Sequence, residues 1–343
     1  MLLPRLDTTG IDSLEDLRDH LQTALQLEHA TIPPYFTAWL SVNENKNPDA
    51  AEVIRTVMLE EMLHLTLAAN LLNAVDGEPK LADADRIPDY PARLPHCGRD
   101  FEVSIERFSS EALDVFLKIE LPEAPDAEPQ PGEYRTIGQF YSAIAQGIER
   151  LCENLGEEQV FTGKLDRQLR PEDYYGSGAL VVVRDKQSAL AAIREIKEQG
   201  EGADQTPFDL DRVVVGDGPG SEPAHYFRFL ELKLGKRFRN GDTLRTGPTG
   251  KSISTKIESV YPIAKNPRPS NYPSDSPASL ALAGFADTYM KLLICLENAF
   301  NGRRGELTSA MAGMFALKNA AMALLRTPVP GKTSTTLGLA FKR

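Results

Sequence analysis

Two long amphipathic segments near the N-terminus constrain this chain most strongly, because each carries ionisable side chains on its apolar face. Residues 13–42 and 48–75 have apolar positions at helical spacing, and only a few residues connect them. A connection this short favours two antiparallel helices that pack against each other. Ser13 is a suitable N-cap for the first helix, and Pro33 and Pro34 are expected to end or kink it. The chain is therefore expected to be mainly α-helical.

The apolar face of each helix carries potential metal ligands. Glu28 follows Leu21 by seven residues in the first helix, and Glu61 follows Val57 by four in the second. A carboxylate on a core-facing stripe is costly unless it is paired or bound to a metal. His64 follows Glu61 by three residues, so the two side chains share one helical face. These three residues are half of the ligand set of a di-iron or di-manganese carboxylate site in a helical bundle.

The predicted second half of this site comes from the remaining Glu-x-x-His sequence, which runs from Glu222 to His225 at the expected start of a helix. Glu201 lies between two glycines at the end of another expected helix, 188–200, where glycine permits close approach of the backbone. The predicted metal ligands are Glu28, Glu61, His64, Glu201, Glu222 and His225. Oxygen and imidazole ligands without thiolate favour iron or manganese over a softer metal.

Two other glutamates compete with these assignments. Glu60 precedes His64 by four residues and could replace Glu61, although Glu61 fits the apolar row better. Glu149 is an alternative ligand from the helix expected over 136–155, although its neighbour Ile148 holds the core position in that helix. Both alternatives remain open from the sequence.

Two residues next to His225 are candidates for contact with a substrate. Tyr226 follows His225 directly and could lie near a metal-bound oxygen, although most such aromatic residues belong to the core. Arg228, about one turn further on, could bind a substrate carboxylate or pair with a carboxylate of the protein itself. The sequence does not identify catalytic residues.

The rest of the chain alternates irregular segments with further helices. Residues 79–135 and 236–275 are rich in proline or in Gly, Ser and Thr, and are expected to be irregular insertions. Short β segments are expected within them, as at 101–105. A C-terminal helix pair is expected over 277–326, and a single domain over 1–343 accounts for the whole pattern.

Composition and charge exclude several classes of function. The 38 basic and 49 acidic residues give a net charge of -11, which argues against binding to nucleic acid or an anionic membrane. The most apolar run, 280–296, contains Asp287 and Lys291, so no membrane span is expected. The N-terminus does not resemble a signal peptide, and three scattered cysteines favour a reducing cytoplasm. The expected partner is a small-molecule substrate, and a homo-oligomer is compatible with the sequence.

Several motifs together resemble a known family. They are Leu27-Glu28-His29-Ala30-Thr31-Ile32-Pro33-Pro34-Tyr35, Glu60-Glu61-Met62-Leu63-His64, Thr136-Ile137-Gly138-Gln139-Phe140-Tyr141, Glu198-Gln199-Gly200-Glu201-Gly202 and His225-Tyr226-Phe227-Arg228-Phe229. They are similar to the ferritin-like domain family that includes the iminophenyl-pyruvate dimer synthase of violacein biosynthesis. The resemblance implies a ferritin-like helical bundle that contains metal, often encoded with natural-product pathways.

Three functions follow from the predicted ligands and from this resemblance. The favoured one is a non-haem di-iron oxidoreductase, with manganese as the alternative metal, that uses O2 on a small organic substrate. The resemblance also implies a synthase that couples imine or enamine units of an oxidised aromatic amino acid. A metal-storage bundle ranks last, because well over half of the chain lies outside four simple helices.

Overall fold

The structure is a computed structural model that describes residues 10–94, 102–123, 134, 136–174, 176, 178–202, 206–208, 222–256 and 258–343. Within these ranges the chain is mostly helical. The α-helices are α1 (Leu14–Ser41), α2 (Pro48–Ala74), α3 (Ser110–Ile119), α4 (Ile137–Leu155), α5 (Glu157–Val160), α6 (Lys186–Gly200), α7 (His225–Leu234), α8 (Pro277–Phe300) and α9 (Glu306–Leu324). The predicted helical bundle with a C-terminal helix pair is confirmed.

The helix pair α1–α2 forms the centre of the bundle. Ser13 caps α1 as expected: its hydroxyl accepts a hydrogen bond from the Asp16 amide at 3.0 Å, and the Asp16 carboxylate accepts one from the Ser13 amide at 2.9 Å. Helix α4 packs on α1, whereas α6 and α7 pack on α2. Helix α3 packs on α7, so four shorter helices enclose one stretch of the central pair.

Helix α1 spans Leu14–Ser41, close to the predicted 13–42. Of the two effects expected of Pro33 and Pro34, an end or a kink, the structure contradicts the end of the helix. Proline has no N–H group, and Pro34 therefore leaves the carbonyl of Ala30 without its usual helical partner. The hydroxyl of Tyr90 donates a hydrogen bond to that carbonyl at 2.7 Å. A side chain from outside the helix thus compensates for one of the two missing donors.

Replacement of Tyr90 by phenylalanine should lower the free energy of unfolding by about 1–3 kcal/mol, because a buried carbonyl would lose its partner. Urea denaturation of the variant and of the parent protein measures this difference. Tyr261→Phe is the matched control, since Tyr261 is 43% exposed, and we expect it to change stability by less than about 0.5 kcal/mol. Equal stability of the Tyr90 variant and the parent would contradict this explanation of the continuous helix.

Helix α3 corrects the expectation that residues 79–135 are irregular throughout. Ser109 caps this helix by accepting a hydrogen bond from the Ala112 amide at 3.0 Å. Leu113 and Phe116 are buried on its inner face. Because this face repeats at helical spacing, a closer reading of the sequence could have found the helix.

The expected β segments amount to isolated bridges within the described residues, such as the one between Ala92 and Val103. Residue 101, the start of one predicted segment, lies outside those residues. Residue Ser221, at the expected start of the helix before His225, also lies outside them.

Helices α8 and α9 form the C-terminal pair, and α8 also contacts α2. By length and composition, α8 is the one helix of the described residues that could cross a membrane. Its inner face packs into the core through side chains such as Phe285 and Tyr289. A core helix of this kind meets the same criteria, so α8 is only weak support for a membrane span.

Candidate metal centre

Five ionisable side chains from four helices meet in the interior of the bundle. Glu28 comes from α1, Glu61 and His64 from α2, and His225 is the first residue of α7. Glu120 caps the C-terminus of α3. All five are buried, with the largest exposure being 5% at Glu120. Burial of this many charged groups is costly unless a cation or protons compensate for them.

Both imidazole rings face the same oxygen, Oε1 of Glu61. His225 Nδ1 lies 2.9 Å from it, and His64 Nδ1 lies 3.4 Å from it. A second carboxylate also lies near each of these nitrogens: Glu28 Oε2 is 3.7 Å from His64 Nδ1, and Glu120 Oε2 is 3.5 Å from His225 Nδ1. We call Glu28 with His64 the His64 half, and Glu120 with His225 the His225 half. Glu61 lies between the two halves.

Each of the three carboxylates has its other oxygen held by a hydroxyl donor. The three hydrogen bonds run from Thr31 to Glu61 Oε2 at 2.6 Å, from Tyr141 to Glu28 Oε1 at 2.6 Å and from Tyr35 to Glu120 Oε1 at 2.5 Å. One oxygen of every carboxylate is therefore fixed, and the second is free to face the imidazoles. Hydrogen bonds of this kind orient metal ligands in many proteins.

The outer nitrogens of the two imidazoles also have partners, and these determine the tautomers. His64 Nε2 lies 2.9 Å from the amide oxygen of Gln199, and His225 Nε2 lies 2.9 Å from Glu60 Oε2. Both partner atoms accept hydrogen bonds, so Nε2 carries the hydrogen in each neutral ring. The lone pair of each Nδ1 then points into the cluster, as a metal ligand requires.

His225 provides the sharpest test of whether this cluster fits a metal. Its Nδ1 is fully buried and makes no hydrogen bond to any described residue, although Glu61 and Glu120 face it. A buried nitrogen without a hydrogen-bond partner needs an explanation, such as an ion. The ligand atoms of Glu61, His64 and His225 all lie within 4.8 Å of one another. The residues therefore fit a metal centre.

The electrostatics point the same way. Burial lowers the pKa of His64, but the carboxylates of Glu28 and Glu61 outweigh burial and raise the pKa of His64 to about 10. Burial and the charge of Glu61 raise the pKa of Glu28 and of Glu120. The cluster therefore attracts protons strongly, and a metal cation would compete with those protons for the same atoms.

Four of the six predicted ligands meet here, namely Glu28, Glu61, His64 and His225, whereas Glu222 does not join them. The side chain of Glu222 is 62% exposed and accepts a hydrogen bond from Arg228 Nη1 at 2.9 Å. The reason is that α7 begins only at His225. Residues 222–224 are not helical, so the three-residue spacing does not bring the two side chains onto one face.

Glu201 is buried but its carboxylate is engaged elsewhere. Its Oε2 accepts a hydrogen bond from the Glu123 amide at 2.6 Å, and its Oε1 lies 3.7 Å from Lys197 Nζ. Glu201 caps the C-terminus of α6 and lies against Gly138, where any Cβ atom would meet the carboxylate. It lines the same pocket as the cluster without a contact to the two histidines.

Glu120 is the residue of the cluster that the sequence reading missed. It follows Phe116 by four residues and Leu113 by seven, so it continues the buried face of α3. The same reasoning that found Glu28 would have found Glu120 if the helix had been recognised.

The two open alternatives differ in their placement. Glu149 is exposed on α4 and lies outside the cluster. Glu60 is buried but points to the outer nitrogen of His225 and to Arg228, with which it forms an ion pair. Glu61, rather than Glu60, therefore occupies the centre.

The two residues considered for substrate contact lie away from the inner face of the cluster. Arg228 is buried, pairs with Glu60 and Glu222, and donates a hydrogen bond to Thr56. Tyr226 is partly buried and packs edge-on against Phe227, with ring centroids 5.6 Å apart. Arg228 thus pairs within the protein, and the substrate role of both residues remains a prediction.

Comparison with known proteins places this arrangement in a family. A family model described as ferritin-like matches residues 21–234, which is more than half of the chain and includes every residue of the cluster. This chain belongs to the ferritin-like family. Helices α8 and α9 lie beyond the residues that the ferritin-like model matches.

The ferritin-like fold is also found in a solved structure that resembles the whole chain. A crystal structure of a ferritin like protein from Caulobacter vibrioides has a TM-score of 0.66 and 21% sequence identity. The match covers 98% of this chain and 99% of that chain. At this identity the likeness shows the fold alone. No curated protein matches the chain, so the relation to the violacein enzyme stays an expectation from the motifs.

A narrow pocket of the ferritin-like bundle leads to the cluster between α3, α4 and α6. Its apolar lining consists of Ile119, Leu121, Ile137 and Ile196. Glu28, Glu61, His64 and Glu120 also line it. It has space for at least one water molecule next to the cluster.

Proposed function

We propose that this chain is a non-haem dimetal oxidoreductase that binds two iron or manganese ions and uses O2 on a small organic substrate. The observation that carries the proposal is the pair of half-sites, each with one carboxylate and one imidazole, on either side of Glu61. Bundles of this family hold paired metals with carboxylates and histidines from facing helices. The absence of thiolate among these side chains favours iron or manganese.

The two half-sites support two ions rather than one. Three carboxylates face two imidazoles, whose Nδ1 lone pairs are free once the rings are neutral. Each half has its own imidazole and its own carboxylate, so a single ion in one half would leave the buried Nδ1 of the other imidazole without a partner. Glu61 would be shared by both ions, and Glu28 and Glu120 would each serve one.

Bound iron or manganese would supply the redox chemistry with O2, and the protein supplies the geometry. The hydroxyls of Thr31, Tyr35 and Tyr141 hold the carboxylates in place. The apolar side chains that line the pocket would reduce contact between bulk water and the cluster.

Anaerobic loading of the protein with Fe(II), followed by exposure to O2, tests this proposal. We expect about two ions per chain, measured by elemental analysis after removal of free metal, and uptake of O2 recorded with an oxygen electrode. Protein loaded with Zn(II) is the control, because zinc has no redox chemistry. Failure to bind iron and manganese, or iron-loaded protein that takes up no more O2 than the zinc control, would contradict the proposal.

The imine-coupling alternative gives a different result in a second assay. Incubation with an aromatic amino-acid oxidase and its substrate would yield a dimeric product even in the presence of a strong chelator. A storage protein, by contrast, would bind many ions per chain and continue to take up iron after the first two. We expect neither behaviour.

A further inference from the structure

We propose that the two halves of the centre are unequal: the His225 half holds its ion tightly, and the His64 half binds a more exchangeable ion next to the pocket. This inference rests on the proposed dimetal function. It concerns which residues set the order of metal binding and which ion meets the substrate.

The halves are closely matched in their inner ligands. Each has one imidazole Nδ1 that faces Glu61 Oε1, and each has one outer carboxylate held by a tyrosine hydroxyl. Any difference in affinity must therefore come from the surroundings of these ligands.

The acceptors on the two outer histidine nitrogens are chemically different. His225 donates to the carboxylate of Glu60, whereas His64 donates to the neutral amide of Gln199, and both contacts are 2.9 Å long. A carboxylate acceptor makes the imidazole a stronger electron donor to the metal than an amide does. The His225 nitrogen should therefore bind a cation more strongly than the His64 nitrogen.

Arg228 holds the Glu60 carboxylate beside the His225 ring. It forms a buried ion pair with Glu60 Oε2, the atom that faces His225 Nε2. Arg228 also pairs with the exposed Glu222 at 2.9 Å, so part of its positive charge is balanced from the other side. On α6, Gln199 occupies the equivalent position to Glu60 and carries no charge.

Access to the two halves also differs. Glu28 and His64, which form the whole of the His64 half, line the pocket, whereas the His225 half contributes Glu120 but not His225 itself. His225 is fully buried, beneath Glu60 and Arg228. An ion in the His64 half is thus the one that solvent, O2 and substrate reach first.

Stepwise titration of metal-free protein with Co(II), under anaerobic conditions, tests this inference by calorimetry and by the visible absorption of the metal. We expect two binding phases whose affinities differ by about 10–100-fold. Dialysis against a weak chelator should leave one ion per chain. Anomalous diffraction from crystals of that protein should locate the ion beside His225.

Two variants assign the difference to its cause. Gln199→Glu gives His64 a carboxylate acceptor. We expect this variant to bind the weaker ion more tightly, so that the ratio of the two dissociation constants falls about tenfold. Glu60→Gln should weaken the tighter phase by about 10–100-fold. Glu149→Gln is the control, because Glu149 is exposed on α4 and lies outside the cluster, and it should change neither phase.

A single phase, two phases of equal affinity, or a gap that neither Gln199→Glu nor Glu60→Gln changes would overturn the inference. Retention of the ion beside His64 rather than His225 would overturn it as well. If the parent protein bound no ion at all, the proposed function would fail first, and this outcome is distinguishable from equal binding at both halves.

Discussion

Replacement of Glu61 by glutamine should lower the affinity for both metal ions by at least about 100-fold, because both half-sites lose the ligand that they share. Glu61 Oε1 is the atom that both imidazoles face, while Oε2 is held by Thr31. The amide is similar in size to the carboxylate and can still accept the hydrogen bond from Thr31, so the fold should be retained. Elemental analysis of metal per chain measures the loss, and circular dichroism checks the helices.

Glu222→Gln is the control for this experiment. Glu222 was a predicted ligand on sequence grounds, but its side chain is 62% exposed and lies outside the cluster. We expect the Glu222 variant to bind as much metal as the parent. Loss of metal from the Glu222 variant together with full retention in the Glu61 variant would contradict the assignment of ligands.

Replacement of Glu120 by glutamine should have opposite effects on the metal-free and the metal-loaded protein. Without metal, the change removes a buried carboxylate that lies close to Glu61, so we expect the free energy of unfolding to rise by about 1–3 kcal/mol. His225 keeps Glu60 and Glu61 as partners in the variant. With metal, the same change removes a ligand and should reduce the stabilisation that metal binding gives, which is about 2.7 kcal/mol at a concentration 100 times the dissociation constant.

Urea unfolding with a chelator and with excess Mn(II) measures both effects. Glu201→Gln is the matched control, because Glu201 is also a buried carboxylate beside the pocket but does not face the histidines. For the control, we expect the increment of stability from metal to match that of the parent. An unchanged increment in the Glu120 variant would remove Glu120 from the centre.

The sequence carried enough information for the central helices and for three ligands. Glu28, Glu61 and His64 lie within long, strongly periodic segments, where a charged residue on an apolar row is conspicuous. Their positions depend on helical geometry and on one short connection, both of which are local properties of the chain. Local rules therefore suffice for this half of the centre.

The other half depends on contacts between distant parts of the chain. The spacing from Glu222 predicts His225 as a ligand. The structure brings only His225 to the cluster, because α7 begins at His225 and Glu222 precedes the helix. Glu120 caps the short helix α3, whose helical spacing is present in the sequence but lies within a proline-rich region that is expected to be irregular. The tertiary packing of α3 and α7 then brings Glu120 and His225 to the cluster.

The partners of the imidazoles were also beyond sequence reasoning. From the sequence, Glu60 is an alternative to Glu61, and Gln199 has no predicted role. Their roles depend on which helix faces each ring nitrogen, and α6 and α7 approach α2 from different parts of the chain. Side-chain direction across such interfaces follows from packing rather than from periodicity.

Anomalous diffraction from crystals grown with Mn(II) or Fe(II) is the most direct test of the central claim. We expect two anomalous peaks in the buried cluster, one within bonding distance of His64 Nδ1 and one within bonding distance of His225 Nδ1, with Glu61 between them. Crystals of metal-loaded protein that show no peak at either nitrogen, or peaks only at surface carboxylates, would contradict a dimetal centre in this bundle.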